Sequence, residues 1–316
     1  MIRQQMKNPA RLTTMHSRVS RGGAPLCVAW AATLAASTLT LIPWRELLGG
    51  EPDWWWGATA IVIISLFAST LLVESLRPVR GYLTIISLIF FLGFGGGWQI
   101  GLVPFIRGSQ FWIDSVESAP WAISALATHL LRLVIPLTIF GYLLARGRSL
   151  RDIYLVKGEI SAMVEPSRLI GMKKPEPWTR VGSVFAMIFS AGTVAFVLLS
   201  ARPSMDVLIG VLPLVPVAIV FAVMNGFNEE FTLRAAPLSE LVAAVGKDQA
   251  LLMTTVFFGL GHFYGVPPNL IGVALAGFLG WFLGKSILET RGFFWAWFIH
   301  FVQDVFVFTF LAMAVV

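Results

Sequence analysis

Apolar runs long enough to cross a lipid bilayer recur along the whole chain of 316 residues. A transmembrane helix needs about 20 consecutive apolar residues to span the hydrocarbon core. Backbone polar groups in lipid must be satisfied within their own segment, so the runs predict an all-α, polytopic transmembrane helix bundle of about eight to nine spans. The predicted spans lie at about 24–44, 54–74, 82–105, 120–145, 181–201, 206–228, 249–264, 268–287 and 293–315.

The composition agrees with a membrane protein. Hydrophobic residues make up 57% of the chain and charged residues 13%, whereas about a quarter of a soluble domain is charged. The net charge of +6 comes from basic residues scattered between the apolar runs, so it predicts no nucleic-acid partner and serves as a topology signal. A single cysteine, Cys27, lies in the first apolar run and can form no intrachain disulfide.

The charges of the loops predict how the chain is oriented. The loop at 45–53 carries one base and three acids, whereas the link at 146–180 carries eight bases and four acids. Basic loops stay in the cytoplasm, so we expect a multi-pass protein of the plasma membrane with a cytoplasmic N-terminus, and an outside C-terminus if nine spans are correct. The link is either an amphipathic segment on the inner leaflet or a solvated loop.

Three parts of the chain follow from this pattern. Residues 1–23 form a basic cytoplasmic tail without acids, and 24–180 hold the first transmembrane helices and the cytoplasmic link. Residues 181–316 form a second group of transmembrane segments. Polar residues inside its apolar runs predict that the chemistry is carried by this last part.

The most unusual polar stretch, 225–237, follows the apolar run at 207–224. In a helix, Glu230 and Arg234 lie four residues apart on one face and can neutralise each other. Glu229 is rotated by about 100° from Glu230 and has no partner at helical spacing. An inward-facing charge in a membrane protein indicates a functional site; the alternative is a helix-end cluster at the water interface.

Two further spans carry polar pairs at the same spacing. Phe258 and His262 would share one helix face, and so would His300 and Asp304. Each pair alone could be structural. Together, three spans bring carboxylates and imidazoles to membrane depth, and peptide hydrolysis needs such groups to activate water and to stabilise an oxyanion. Two histidines with carboxylates are also a plausible zinc set, although the HExxH motif is absent.

The order and internal spacing of the three motifs resemble the signature of the CPBP family. This family of intramembrane proteases, also called Abi, includes CAAX prenyl protease 2 and bacteriocin-processing enzymes. The resemblance covers roughly 180–316 and implies a CPBP-like catalytic transmembrane domain at 181–316. The motifs that carry it are Glu229-Glu230-x-x-x-Arg234, Phe258-x-x-x-His262 and His300-x-x-x-Asp304.

The resemblance implies a role for each motif residue. Glu229 would activate the attacking water, and His262 would help to hold that water. Glu230 would be the structural partner of Arg234, with Phe258 supporting the site. From the residues alone, a glutamate surrounded by apolar walls is also a suitable general base, because burial disfavours its charged form.

The third motif departs from the common family pattern. The resemblance implies that His300 and residue 304 stabilise the oxyanion, but position 304 is Asp where many members have Asn. An ionised Asp304 would repel an oxyanion, so it would act protonated or bind a metal. If a metal such as zinc is present, its ligands would be Glu229, His262, His300 and Asp304; the preferred mechanism requires no cofactor.

The sequence therefore predicts an intramembrane endopeptidase that cleaves a membrane-associated peptide or protein substrate. One alternative is a transporter or a proton or cation relay, although no inverted repeat is evident. Another is a catalytically silent immunity or scaffold protein of the same fold. For the enzyme, we expect the carboxylates and histidines of the three motifs to converge around one cavity, because isolated charges in lipid are costly.

Overall fold

The computed structural model describes residues 23–93 and 101–316. The predicted basic tail at 1–23 lies outside the described residues except for its last residue. The described α-helices are α1 (Gly23–Ala35), α2 (Ile42–Leu48), α3 (Trp55–Leu72), α4 (Arg80–Leu92), α5 (Leu102–Arg107), α6 (Gln110–Trp112), α7 (Trp121–Arg132), α8 (Val134–Ala145), α9 (Trp178–Ala201), α10 (Met205–Gly210), α11 (Val215–Glu230), α12 (Ala236–Val245), α13 (Lys247–Gly261), α14 (Asn269–Thr290) and α15 (Phe294–Ala312).

Shorter elements connect these helices. Two short strands, β1 (Met163–Val164) and β2 (Glu176–Pro177), pair antiparallel. Two π-helical turns lie at Ile113–Glu117 and Phe231–Ala235. The 3₁₀ turns lie at Thr38–Thr40, Glu74–Val79, Arg168–Ile170, Leu212–Leu214 and Met313–Val315.

Seven helical segments of the described chain are long and apolar enough to cross a membrane. An eighth is added if the pair Gly23–Ala35 and Thr38–Leu48, bent by 64°, counts as one span. These segments confirm the predicted polytopic helical bundle, and the protein is an integral, multi-pass membrane protein. The seven are Trp55–Leu72, Glu74–Leu92, Trp121–Ala145, Trp178–Ala201, Met205–Val245, Asn269–Thr290 and Phe294–Val315.

The predicted span at 249–264 is too short in the structure. It corresponds to α13, a helix of 15 residues, and at ~1.5 Å per residue it reaches ~22 Å, whereas the hydrocarbon core is about 30 Å thick. An odd number of spans places the two chain ends on opposite sides of the bilayer and an even number on the same side, so the outside C-terminus expected from nine spans stays a prediction. In the predicted span at 82–105, helix α4 ends at Leu92 and 94–100 lie outside the described residues.

The C-terminal helices pack closely around α11. Helix α15 lies along α11 and also packs on α9, while α13 packs on α14. The α13–α14 contact requires a glycine, since a Cβ atom at Gly259 would come within 2.9 Å of the Val273 carbonyl oxygen. These contacts bring the three motif-bearing segments, which are distant in sequence, to one place.

A π-helical turn connects α11 to α12. It spans Phe231–Ala235, and all five of its residues are buried. Such turns insert an extra residue into an α-helix and are frequent at functional sites. The turn places Arg234 inside the bundle rather than at its surface, so the first motif lies in the protein interior and not in a helix-end cluster at the water interface.

The link at 146–180 is neither a continuous amphipathic segment nor a solvated loop. Ile153, Val164 and Trp178 in it are fully buried. Its backbone is also tied to the α14–α15 turn, because the Glu159 amide donates to the Thr290 carbonyl at 2.8 Å. The apolar residues of the link therefore pack on protein, which explains why the sequence mixes them with charges.

Candidate active site

Arg234 and Glu230 form a buried ion pair at the junction of α11 and the π turn. Arg234 Nη1 donates to Glu230 Oε1, and neither side chain is exposed. The Nε of Arg234 also donates to the Gly280 carbonyl at 3.3 Å. A buried pair is held by good geometry and by further hydrogen bonds, and this pair has such support from α14.

The ring of Phe258 lies against the other side of the arginine. Arg234 Cζ is 3.8 Å from the centroid of the Phe258 ring, which makes a cation–π contact. A Cβ atom at Gly280 would lie 3.2 Å from Arg234 Nη2 and 3.0 Å from Phe258 Cδ1, so glycine leaves the room that this contact needs. The guanidinium is therefore fixed by three helical segments.

His300 on α15 links the two glutamates to Asp304. Its Nδ1 lies 2.6 Å from Glu230 Oε1, and its Nε2 lies 3.5 Å from Asp304 Oδ2 and 3.8 Å from Glu229 Oε2. A carboxylate oxygen only accepts hydrogen bonds, and both ring nitrogens face such oxygens. The arrangement suits an imidazole with a proton on each nitrogen.

Two residues without a predicted role complete the cluster. Arg132 at the end of α7 has Nη2 3.5 Å from Glu229 Oε1 and donates from Nη1 to Asn225 Oδ1 at 3.3 Å. Asn225 Nδ2 donates to Asp304 Oδ2 at 2.9 Å. Together with His300, these contacts form a closed ring of five side chains, which we call the polar ring: Glu229, Arg132, Asn225, Asp304 and His300.

Sequence reasoning missed Arg132 and Asn225 as site residues. Both carried a signal: Arg132 is an ionisable residue within the predicted span at 120–145, and Asn225 begins the polar stretch of the first motif. Glu229 has no partner at helical spacing, as expected, but it has one on another helix. The signal could not identify that partner because helix packing determines it.

The cluster is balanced in charge. Its acidic groups are Glu229, Glu230 and Asp304. Two arginines and an imidazolium on His300 supply three positive charges, since Arg132 contacts Glu229 and Arg234 contacts Glu230. Uncompensated charge is expensive in a low-dielectric interior, so this balance makes the cluster tolerable inside a membrane protein.

The structure brings five of the predicted site residues into direct contact with one another: Glu229, Glu230, Arg234, His300 and Asp304. His262 and Phe258 lie together beside them, with His262 Nδ1 2.9 Å from the Phe258 carbonyl oxygen. No hydrogen bond among the described residues joins His262 to Glu229. The catalytic roles of these residues remain predictions.

The metal ligands considered from the sequence are Glu229, His262, His300 and Asp304. In the described ranges 23–93 and 101–316, no group of three His, Cys, Asp or Glu side chains is spaced so that it could hold a metal ion. The Nδ1 of His300 is engaged by Glu230, and Asp304 Oδ2 accepts from Asn225. A zinc requirement, like its absence, stays a prediction.

Access to the polar ring differs from one side to the other. The side chains of Arg132 and Glu229 are 24% and 15% exposed, whereas those of His300 and Asp304 are 6% and 8% exposed. Glu229 and Arg132 thus form the open edge of the ring. These two side chains are the most exposed members of the polar ring.

Fold and site together define the class: a multi-pass helical membrane protein whose C-terminal helices bury a charge-balanced cluster of carboxylates, arginines and histidine. Residues 210–306 match the family model described as type II CAAX prenyl endopeptidase Rce1-like. The matched segment contains all three motifs, so the family resemblance predicted from them is confirmed for this part of the chain. No curated protein and no solved structure was found to match the chain.

Proposed function

We propose that this protein is an intramembrane endopeptidase that hydrolyses a peptide bond in a membrane-associated substrate. The observation that carries the proposal is the position of Glu229. It lies within the segment matched by the endopeptidase family, at the open edge of the polar ring, between Arg132 and His300. A carboxylate that water can reach, beside groups that stabilise negative charge, is suited to hydrolysis.

In the proposed mechanism Glu229 is the general base. It accepts a proton from water while the water oxygen bonds to the substrate carbonyl carbon and the C=O π electrons move onto oxygen. When the C–N bond breaks, the carbonyl re-forms and the proton on Glu229 passes to the leaving nitrogen. The products are a carboxylic acid and an amine, and His262 helps to hold the attacking water.

The remaining motif residues support this step. His300 donates from Nε2 toward the oxyanion, since its Nδ1 is fixed by Glu230. Glu230, Arg234 and Phe258 hold that arrangement in place. The proposed reaction uses no metal.

The family match supports a substrate that carries a lipid anchor. We infer that the chain acts on prenylated C-terminal peptides in the plasma membrane, with its N-terminus in the cytoplasm. The basic link at 146–180 supports this orientation, because basic segments stay on the cytoplasmic side.

The proposal is tested with the purified full-length protein in liposomes. Two peptides with the same sequence are supplied, one carrying a farnesylated cysteine three residues from its C-terminus and one carrying a free cysteine, and products are measured by mass spectrometry. We expect the farnesylated peptide to lose its last three residues, and Glu229→Gln to abolish that product. Cleavage of both peptides would support the endopeptidase activity and contradict the proposed requirement for a prenyl group.

The same liposomes separate the enzyme from the relay. Proton and cation flux is measured with fluorescent dyes for wild type and Glu229→Gln. A flux that depends on Glu229, without cleavage of either peptide, would replace the endopeptidase with a relay. If neither wild type nor variant cleaves a peptide or carries a flux, the protein is catalytically silent and the proposal is wrong. If both cleave equally well, the role of Glu229 is wrong.

A further inference from the structure

In its ionised form, Asp304 cannot supply the hydrogen bond that an Asn at this position would supply. A carboxylate only accepts hydrogen bonds, and Asp304 Oδ2 already accepts one from Asn225 Nδ2 at 2.9 Å. The amide N–H of Asn225 used in that bond is likewise turned away from a substrate. That N–H group of Asn225 is therefore committed to Asp304.

The orientation of the Asn225 amide is fixed by its two neighbours. A carboxylate oxygen accepts and a guanidinium only donates, so Nδ2 must face Asp304 and Oδ1 must face Arg132. The Oδ1 atom accepts from Arg132 Nη1 at 3.3 Å. Asp304 on α15 is thus connected, through Asn225 on α11, to the guanidinium on α7.

Arg132 lies beside the proposed base at the open edge of the polar ring. With Nη1 held by Asn225, its Nη2 is 3.5 Å from Glu229 Oε1. A water on Glu229 and a carbonyl oxygen on Arg132 would therefore be neighbours, as the attack requires. Arginine carries its charge at any working pH and presents several N–H donors in one plane.

We propose that Arg132 is a catalytic residue that donates from Nη2 to the oxyanion, and that Asn225 and Asp304 are the residues that position it. This inference rests on the proposed endopeptidase function. As the water oxygen bonds to the carbonyl carbon, the negative charge that forms on the carbonyl oxygen is stabilised by the guanidinium and by His300. Arg132 lies outside the matched segment 210–306, so this chain completes the site with a helix of its N-terminal half.

The first test replaces Arg132 and a matched control arginine. Arg107 makes a similar contact, with Nη2 3.6 Å from Glu117 Oε1, but its side chain is 47% exposed and its partner is not a motif residue. With the farnesylated peptide in liposomes, Arg132→Gln is expected to lower kcat by about 10²–10³-fold, the loss typical of an oxyanion donor. KM should change little, Arg132→Lys should recover part of kcat because it keeps the charge, and Arg107→Gln should match wild type.

The outcomes separate this inference from the proposed function. If Glu229→Gln is inactive while Arg132→Gln stays within about threefold of wild type, below the loss expected for an oxyanion donor, the role of Arg132 is wrong and the endopeptidase stands. If wild type itself cleaves neither peptide, the proposed function fails first. Should Arg132→Gln not fold, Arg132→Lys and the next variant decide.

The second test is Asp304→Asn, which installs the residue common in the family. If residue 304 were itself the oxyanion donor, the new amide would raise kcat. The positioning role predicts the opposite, because a neutral amide oxygen at 304 accepts a weaker hydrogen bond from Asn225 than a carboxylate does. The kcat should fall by about two- to tenfold, the range for one hydrogen bond. A rise in kcat would overturn the proposal.

Discussion

Two carboxylates of the C-terminal helices, Glu289 and Glu229, have very different surroundings. Glu289 near the end of α14 has both oxygens occupied: Oε1 accepts from Lys285 Nζ and from the Glu165 amide, and Oε2 accepts from Trp178 Nε1 at 2.9 Å. Glu229 has contacts of 3.5 Å and 3.8 Å to Arg132 and His300. These distances exceed the usual range for charge-assisted hydrogen bonds.

The difference shows which carboxylate can react. A carboxylate with short hydrogen bonds to both oxygens is fixed, and a proton or a water must displace a partner to reach it. Glu229 is loosely held at an accessible edge, so it can exchange a proton with water. Hydrogen bonds to both oxygens indicate a structural role for Glu289, and the longer contacts indicate a chemical role for Glu229.

The largest expected effect is on activity in Glu229→Gln. Loss of a general base typically lowers the rate by about 10²–10⁴-fold. The fold should survive, since an amide is cheaper to bury than a carboxylate. Cleavage of the farnesylated peptide and the thermal midpoint Tm are measured on the same preparation. Near-normal turnover would contradict the chemical role of Glu229 and with it the distinction from Glu289.

The next effect is on stability in Arg234→Ala. This change leaves Glu230 buried without its cation, and breaking a buried pair costs roughly 3–5 kcal/mol. We expect low abundance in the membrane and a lower Tm. The double variant Arg234→Ala with Glu230→Gln is the control and should recover part of the loss; no recovery would contradict the pairing energy assigned here.

Glu289→Gln should produce the opposite phenotype to Glu229→Gln. The amide nitrogen of glutamine cannot accept a hydrogen bond, so one of the buried donors Lys285 and Trp178 loses its acceptor, at a cost of about 1–3 kcal/mol. Tm should fall while kcat per folded molecule stays at the wild-type value. A loss of kcat without a loss of Tm would show that hydrogen bonds to both oxygens do not distinguish a structural carboxylate from a reactive one.

The smallest effect is expected at Glu165, whose backbone amide donates to Glu289. The pKa of Glu165 is held below its ordinary value of 4.5, first by its hydrogen bond to Lys247. A lowered pKa stabilises the fold above 4.5, and this contribution disappears as the pH falls through the folded-state pKa. Glu165 is 66% exposed, so Glu165→Gln should lower stability at neutral pH by at most about 1 kcal/mol and have no effect in acid.

The sequence predicted the local part of the site and could not predict the rest. Glu230 and Arg234 are four apart, so helical spacing alone brings them together. Lys285 and Glu289 have the same spacing and are also buried, yet the sequence analysis assigned them no role. Spacing cannot distinguish the two pairs, because their remaining partners come from other helices.

The fold, like the site, could be predicted from the sequence only where local patterns encode it. Apolar length identified the other spans, but the predicted span at 249–264 corresponds to α13, whose 15 residues are fewer than the about 20 that a spanning helix needs. The Glu229–Arg132 contact joins residues 97 positions apart, and no local pattern encodes it. The link at 146–180 combined apolar residues with charges because it packs on the α14–α15 turn, which only the folded structure reveals.

The order of the polar ring along the chain also bears on how the protein enters the membrane. Helices are made and inserted from the N-terminus onward. A charged side chain therefore costs less free energy in the membrane when the helix that carries its partner is already inserted. Arg132 is made first, and its long side chain can extend to the lipid–water boundary until α11 follows. Each acidic side chain then has a partner that was synthesised earlier or lies within one helical turn. These partners are Arg132 for Glu229, Arg234 for Glu230, and Asn225 for Asp304.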